Sequence, residues 1–215
     1  MVEVKPLVSL ALALGLLLSG CRGGTGNLDL TPSAQKFLDE GGETLSNTSN
    51  QIYTRPCLQG LILGNTLISD PSSRTAVLVQ LVERHHFAST VHAAQPGGYD
   101  KVTITPKSPY LANWTGQGDI RFFCFGKLLV TKTEVVPDAQ PITAGASEAY
   151  IVKGTEARVV RITFKLTDVP DGDFVTTLTQ RPDLMVDRSM QPADYGKALT
   201  IVATIPTKPE NYDLP

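Results

Sequence analysis

Hydrophobic and polar positions along the chain fall into three regimes. Residues 7–18 are almost continuously apolar. A run of this length is too short to cross a hydrocarbon core of roughly 30 Å, which takes about 20 helical residues, and it matches the hydrophobic region of a signal peptide. The second regime has helical spacing. Thr31-Pro32 reads as an N-cap with proline in the first turn, predicting a short helix to about Glu40 that Gly41-Gly42 stops. Residues 43–51 are polar and read as loop. Asp70-Pro71-Ser72-Ser73 is a turn that caps a helix over 74–86, where Val77, Leu78, Leu81, Val82 and His85 recur on one face. Residues 57–69 are apolar but interrupted by Gly60 and Gly64, so periodicity does not separate helix from strand there.

The third regime alternates with period two, the spacing of a strand with one buried face. Val102 and Ile104 alternate with Lys101, Thr103 and Thr105, and prolines 106 and 109 end that strand. Residues 120–125 form a second strand. Gly126-Lys127 is then either a tight hairpin turn leading to a return strand over 128–136, or the bulge of one longer strand. The clearest alternation is Val160, Ile162, Phe164 and Leu166 against Arg161, Thr163 and Lys165. Residues 169–173 read as a turn, 174–179 as a further strand or extended segment, and Leu199, Ile201, Ala203 and Ile205 as the last strand. The proline-rich tail, 206–215, hangs loose or lies along the surface. Together these patterns predict an α+β fold, with short N-terminal helices packed on a mostly antiparallel sheet, as one domain over residues 31–205.

The apolar N-terminal run ends in Leu18-Ser19-Gly20-Cys21. An aliphatic residue, two small residues and a cysteine resemble the lipobox of bacterial lipoproteins. The small residues admit a peptidase to the bond before the cysteine, whose thiol takes a diacylglycerol. The resemblance implies cleavage before Cys21, a signal peptide over 1–20, and a flexible glycine-rich tether over 21–30. It implies a mature chain held on the membrane by several acyl chains rather than by a transmembrane helix. Met1 to Pro6 depart from the usual positive leader, because Glu3 offsets Lys5. Arg22 stands where retention in the inner membrane usually shows an acidic residue, so the family pattern points to the outer membrane, facing the periplasm. In the globular part, Gly98-Tyr99-Asp100 through Phe123-Cys124-Phe125-Gly126-Lys127, Val135, and the alternating stretch from Val159 to Leu166 resemble exported bacterial proteins of uncharacterised activity. That resemblance implies export and fold, and no activity.

Composition narrows the function classes. Removing residues 1–20 from 215 leaves 195 and takes away Glu3 and Lys5 together, so the net charge stays at −2. Basic residues are scattered, with no run longer than two, which argues against a nucleic-acid partner. A hydrophobic content of 41% with 19% charged residues fits a packed domain rather than a disordered chain. With Cys21 acylated, Cys57 and Cys124 remain. In an oxidising compartment they can pair, closing a loop of roughly 70 residues and restricting the unfolded chain by about 4 kcal/mol in the entropy model; the alternative is two separately buried thiols.

Motifs for catalysis are sparse. His85, His86 and His92 are the three histidines. Neighbouring histidines on a helix diverge by about 100°, so His85 and His86 do not chelate one ion together. His85 falls on the apolar stripe. His92 approaches His86 if the chain folds back, with Glu83 the best further ligand, but no metal or other cofactor is expected. Asp168, Asp171 and Asp173 lack the register of a calcium loop and read as a solvated turn. No Gly-x-Ser-x-Gly elbow is present. Trp114, between Asn113 and Gly116, either lines a binding surface or plugs the end of the core. The reading is therefore a lipid-anchored binding or interaction module for an envelope protein, with Trp114, His86 and His92 as its candidate surface. The alternative is an envelope hydrolase assembled from distant residues with His86 or His92 as base.

Overall fold

A computed structural model describes residues 28–41, 55–146, 148, 150–186 and 190–213. The apolar leader, Cys21, the tether to residue 27 and the polar loop over 43–51 lie outside the described residues. Helix α1 (Thr31–Lys36) starts with Pro32 in its first turn and runs into a π-helical turn, Phe37–Gly41. Short strands β1 (Leu61–Ile62) and β2 (Thr66–Ile68) resolve the ambiguous apolar stretch as extended, with a bend between them. Helix α2 (Arg74–Arg84) follows, then β3 (Ala88–Gln95), β4 (Tyr99–Pro106), β5 (Trp114–Thr115), β6 (Ile120–Phe123) and β7 (Lys127–Val135). The chain continues through β8 (Ile142–Thr143), β9 (Glu156–Thr167), helix α3 (Gly172–Gln180) and β10 (Leu199–Pro206). This is an α+β fold in which every strand pairing is antiparallel.

The strands form three sheets, ordered β1-β6-β5, β2-β4-β3, and β10-β9-β7 with β8 beside β9. Two apolar clusters organise them. The first gathers α2, the inner faces of the two smaller sheets, α3 and Leu184-Met185 around the rings of Phe87, Phe123, Phe125 and Phe174. The second gathers α1, the inner face of the long sheet, Met190 and Tyr212. Val169 and Tyr195 pack against both. The chain enters the second cluster at α1, leaves for the first, returns along β7 and β9, revisits the first through α3, and ends in the second. Neither cluster is a contiguous stretch of sequence.

Two expectations need correction. Gly126-Lys127 is neither a hairpin turn nor a bulge, because β6 pairs with β1 and β5 whereas β7 pairs with β9. Gly126 carries the chain from one sheet to another at φ 70°, where a Cβ would sit 2.7 Å from Leu166 Cδ1 and 2.9 Å from Thr167 O; only glycine fits. Residues 174–179 are helix, not strand. The β-branched run Val175-Thr176-Thr177 looks extended by propensity, but Phe174 and Leu178, one turn apart, are both fully buried. Thr176, Thr177 and Thr179 donate their hydroxyls to the carbonyls four residues back, which accommodates threonine in a helix. Strand β3 lies in a stretch without sequence alternation; from Ser89 onward it is mostly exposed on both faces.

The tail is docked. Tyr212 is buried and donates its hydroxyl to Ser33 O at 2.9 Å, while Val152 N and Asp213 N bond across to Asn211 O and Tyr150 O. Cys57 and Cys124 are joined as a disulfide across an antiparallel bridge. Leu58 N donates to Phe123 O and Phe125 N to Pro56 O, while Val186 N and Gln59 N bond the same segment to Cys57 O and Leu184 O. The crosslink thus sits where three distant segments meet. Among the described residues no helix is long and apolar enough to cross a membrane.

Candidate functional site

The start of α2 follows from its sequence. Asp70 accepts from Ser72 N and Oγ, both at 2.8 Å, and those bonds hold its carboxyl below the usual carboxylate range. Ser73 then accepts from Ala76 N at 3.2 Å as the N-cap. The helix ends at Arg84, two residues short of the 74–86 that its apolar stripe suggests. His86 turns into the left-handed region at φ 59°; its N–H bonds Glu83 O and the Phe87 N–H bonds Val82 O. That pair of bonds is a Schellman cap closed by the apolar Phe87. Two residues on, β3 begins.

The turn through Gly97 and Gly98, both at positive φ, folds β4 back on β3 with His92 opposite Val102 and Ala94 opposite Asp100. His92 and Asp100 are therefore diagonal neighbours on the face turned to α2. His92 Nδ1 lies 2.6 Å from Asp100 Oδ2, and its Nε2 lies 3.6 Å from Glu83 Oε2 on α2. The hydrogen bond to Asp100 first, and the charges of Asp100 and Glu83 with it, raise the His92 pKa above the ordinary imidazole value against a smaller opposing loss of hydration. The imidazole thus links the hairpin to the helix through two carboxylates.

Beside this group lies an open cleft of about 170 Å³ between α2 and the hairpin. Ile68, Pro71, Ala76 and Val79 give it apolar walls; Ser69, Gln80, His92 and Asp100 put polar groups at its rim.

The histidines separate cleanly. His92 stands in the cluster with Glu83, the residue the sequence offered as a further ligand beside His86 and His92, but His86 does not join them. His86 is exposed beyond the cap, and its ring makes no hydrogen bond among the described residues. His85 stacks on Phe87 at 5.6 Å and meets Phe174 edge-on at 5.1 Å. Loss of hydration there pushes its pKa down. Trp114 takes the core-plug position: it is 9% exposed, packs 5.3 Å from Phe123, and donates Nε1–H to Phe87 O at 3.2 Å. It lines no surface. Asp100 is the residue missed by sequence reasoning. The signal was the spacing of eight between His92 and Asp100 about the Pro96-Gly97-Gly98 turn, visible only once β3 is taken as a strand.

Among the described residues, no group of three or more histidine, cysteine or acidic side chains is arranged to hold a metal ion. Asp168 pairs with Lys127 at 3.3 Å, Asp173 pairs with Arg84 at 3.2 Å, and the carbonyl of Asp171 starts α3, so the acidic turn is occupied by structural contacts. Comparison with protein-family models, with curated proteins and with solved structures gives no match.

Proposed function

We propose that this chain is a lipid-anchored protein of the bacterial cell envelope. It is held through Cys21 on the outer membrane, faces the periplasm, and acts as a binding or interaction module for another envelope protein. The anchoring half rests on the lipobox resemblance of Leu18-Ser19-Gly20-Cys21. The disulfide supports an oxidising compartment, where such crosslinks persist. The binding half rests on one observation: His92 sits between two carboxylates at the rim of an open, apolar-walled cleft, its Nδ1 hydrogen-bonded to Asp100 and its Nε2 3.6 Å from Glu83 Oε2. A general base needs a free nitrogen within reach of a nucleophile or water. Here Nε2 faces Glu83, so the group suits recognition by charge and shape better than proton transfer. The hydrolase reading on His86 fares no better, since that ring has no orienting partner among the described residues.

Two measurements test this. Metabolic labelling with an alkyne fatty acid marks the wild-type chain and leaves Cys21→Ser unlabelled; labelling that survives the substitution removes the anchor. A photo-crosslinking residue at Gln80, on the cleft rim, captures a discrete envelope protein in intact cells, and the same residue at Leu129 on the long sheet does not. Equal capture at both positions removes the cleft face as the interaction surface.

A further inference from the structure

The outer strands of the sheets are protected unequally. On β7, Gln35 of α1 acts as a surrogate strand: its Nε2 donates to Leu128 O at 2.7 Å and its Oε1 accepts from Val130 N at 3.0 Å. A register shift follows between Val130 and Lys132. On β10, the Tyr150 hydroxyl covers Thr204 O and the strand ends in Pro206. Bulges, prolines and covering side chains are the devices that stop an edge from pairing with another chain. Among the described residues, strand β3 has none of them. It is the outer strand of β2-β4-β3, pairs with β4 at all eight positions without a shift, and contains no proline, lysine or arginine. Beyond that ladder, the bond its backbone receives among the described residues is local, from Gln95 Nε2 to Ala93 O.

From this edge we infer that β3 takes an added antiparallel strand from a partner protein, an extended segment with a lysine or arginine at the position opposite His92. The inference rests on the interaction-module reading above and names the chemistry of the partner. Charge selects the occupant. On the side of β3 turned to α2, Glu83 of the helix and Asp100 of β4 flank a single imidazole, so acid exceeds base there even when His92 is charged. Glu83 is half exposed and reaches His92 from the helix. The nearby cations do not offset it. Arg84 is paired with Asp173, and Lys101 lies opposite Ala93 and Leu67 on the other face of the sheet. On that outer face Val91 is 66% and Leu67 62% exposed, which suits apolar residues at the alternate positions of the donor.

A second copy of this chain fits less well. Antiparallel pairing of two β3 strands centred on Val91 would place Thr90 beside His92 and leave Glu83 without a cation. Centring on His92 would set imidazole against imidazole.

The test uses the full chain and the synthetic strand Thr-Val-Thr-Val-Lys-Val-Thr-Val-Thr, with terminal charges blocked, beside the same peptide carrying Glu for Lys. The lysine peptide is expected to shift and protect from exchange the amides of residues 89–95, and to bind about tenfold tighter than the glutamate peptide. Glu83→Gln, at an exposed position, is expected to shrink that preference to about threefold or less. Val91→Lys, a charge of the kind natural edges carry, is expected to weaken both peptides together. Several results would overturn the inference: no protection at 89–95, protection located elsewhere, equal affinity for the two peptides, or concentration-dependent protection of β3 with no peptide present, which would make a second copy the occupant. The anchor is read separately by fatty-acid labelling and cleft capture by crosslinking at Gln80, so failure of the peptide leaves those outcomes standing.

Discussion

The two cores of this molecule solve the same problem by different means. The second is built from length. Strands β7, β9 and β10 pair over most of their residues, and Val160, Ile162 and Phe164 of the central strand are fully buried on one face while Arg161 and Lys165 are exposed on the other. Period-two alternation alone holds this sheet in register, because a slip of one residue would turn the apolar set to water. Apart from the eight-residue β3-β4 hairpin, the first core is built from short pieces. Its strands β1, β2, β5 and β6 are two to four residues long, too short to specify a register by alternation. There the positions are fixed by large rings and a covalent link. Phe87 lies stacked on Phe123 at 4.2 Å, Phe174 meets Phe87 and Phe125 edge-on, and Cys57–Cys124 ties the central segments together. Where hydrogen-bonded ladders are short, side-chain shape and crosslinking carry the specificity.

The largest expected effect asks whether the cores are one cooperative unit. Phe123→Ala in the first core and Phe164→Ala in the second each remove a fully buried ring and are expected to cost about 4 kcal/mol. Because the chain crosses between the cores repeatedly, and Val169 and Tyr195 serve both, each substitution should lower the protection of the slowest-exchanging amides in α2 and in β9 alike. Loss confined to the substituted core, measured by native-state hydrogen exchange, would make them separately stable. Next in size is the crosslink. Replacing Cys57 and Cys124 together by alanine frees a loop with a sequence separation of 67 and should cost about 3 kcal/mol. Denaturant unfolding under oxidising conditions checks the figure, and exchange should rise first in β1 and β6.

A smaller effect is expected at the junction. Gly126→Ala forces a Cβ into contact with Thr167 O and Leu166 at a backbone angle that disfavours side chains, at a cost of about 2 kcal/mol. Since the clash is with β9, the perturbation should appear in the chemical shifts of Leu166 and Thr167. Gln35→Ala is smaller again, about 1 kcal/mol, because it removes two hydrogen bonds from a strand edge that water can partly replace. It also sharpens the contrast between edges: with Gln35 gone, β7 loses its cover at Leu128 and Val130 and keeps only the register shift and its lysines, and the variant should self-associate at concentrations where the wild type does not.

The contrast also explains what could be read in advance. The long sheet is legible because burial on one face imprints alternation on the residues; β9 and β10 show it, as does β4 in a smaller sheet, while β7 is expected only as the return strand after Gly126-Lys127. The first helix of the first core was legible through its Asp70-Ser73 cap and apolar stripe. What failed has a common cause. Residues 174–179 have strand-forming composition but lie under a packed helix, so tertiary burial of Phe174 and Leu178 overrides propensity. Gly126 looks like a turn or bulge because the sequence does not show which sheet each flanking strand joins. The β3 strand leaves no trace, since a strand exposed on both faces has no reason to alternate. The candidate site inherits that gap: the sequence groups His92 with His86 and Glu83, and only the hairpin replaces His86 by Asp100.

The smallest expected effect is also the most local comparison, between the two environments given to His85 and His92. His85 is held against aromatic rings with Nε2 buried and unpartnered, and loss of hydration lowers its pKa. His92 is held between carboxylates, with Asp100 the main cause of its raised pKa. The consequences for stability have opposite signs. The contacts of His92 contribute fully below the ordinary imidazole pKa of about 6.5, and their contribution is lost as pH rises through the higher folded value. His85 contributes nothing above about 6.5; as pH falls below it the unfolded chain takes up the proton first, and the folded state is destabilised until the lower folded value is reached. His92 is well exposed, so salt should screen its share strongly. Titration of the imidazole ring protons by NMR should therefore place the His92 midpoint above the ordinary range and that of His85 below it. Asp100→Asn should bring His92 down by more than Glu83→Gln does, while leaving His85 in place. If Glu83→Gln has the larger effect, the helix rather than the hairpin holds the imidazole. If neither moves it, the carboxylate link between α2 and β3 is not formed in solution.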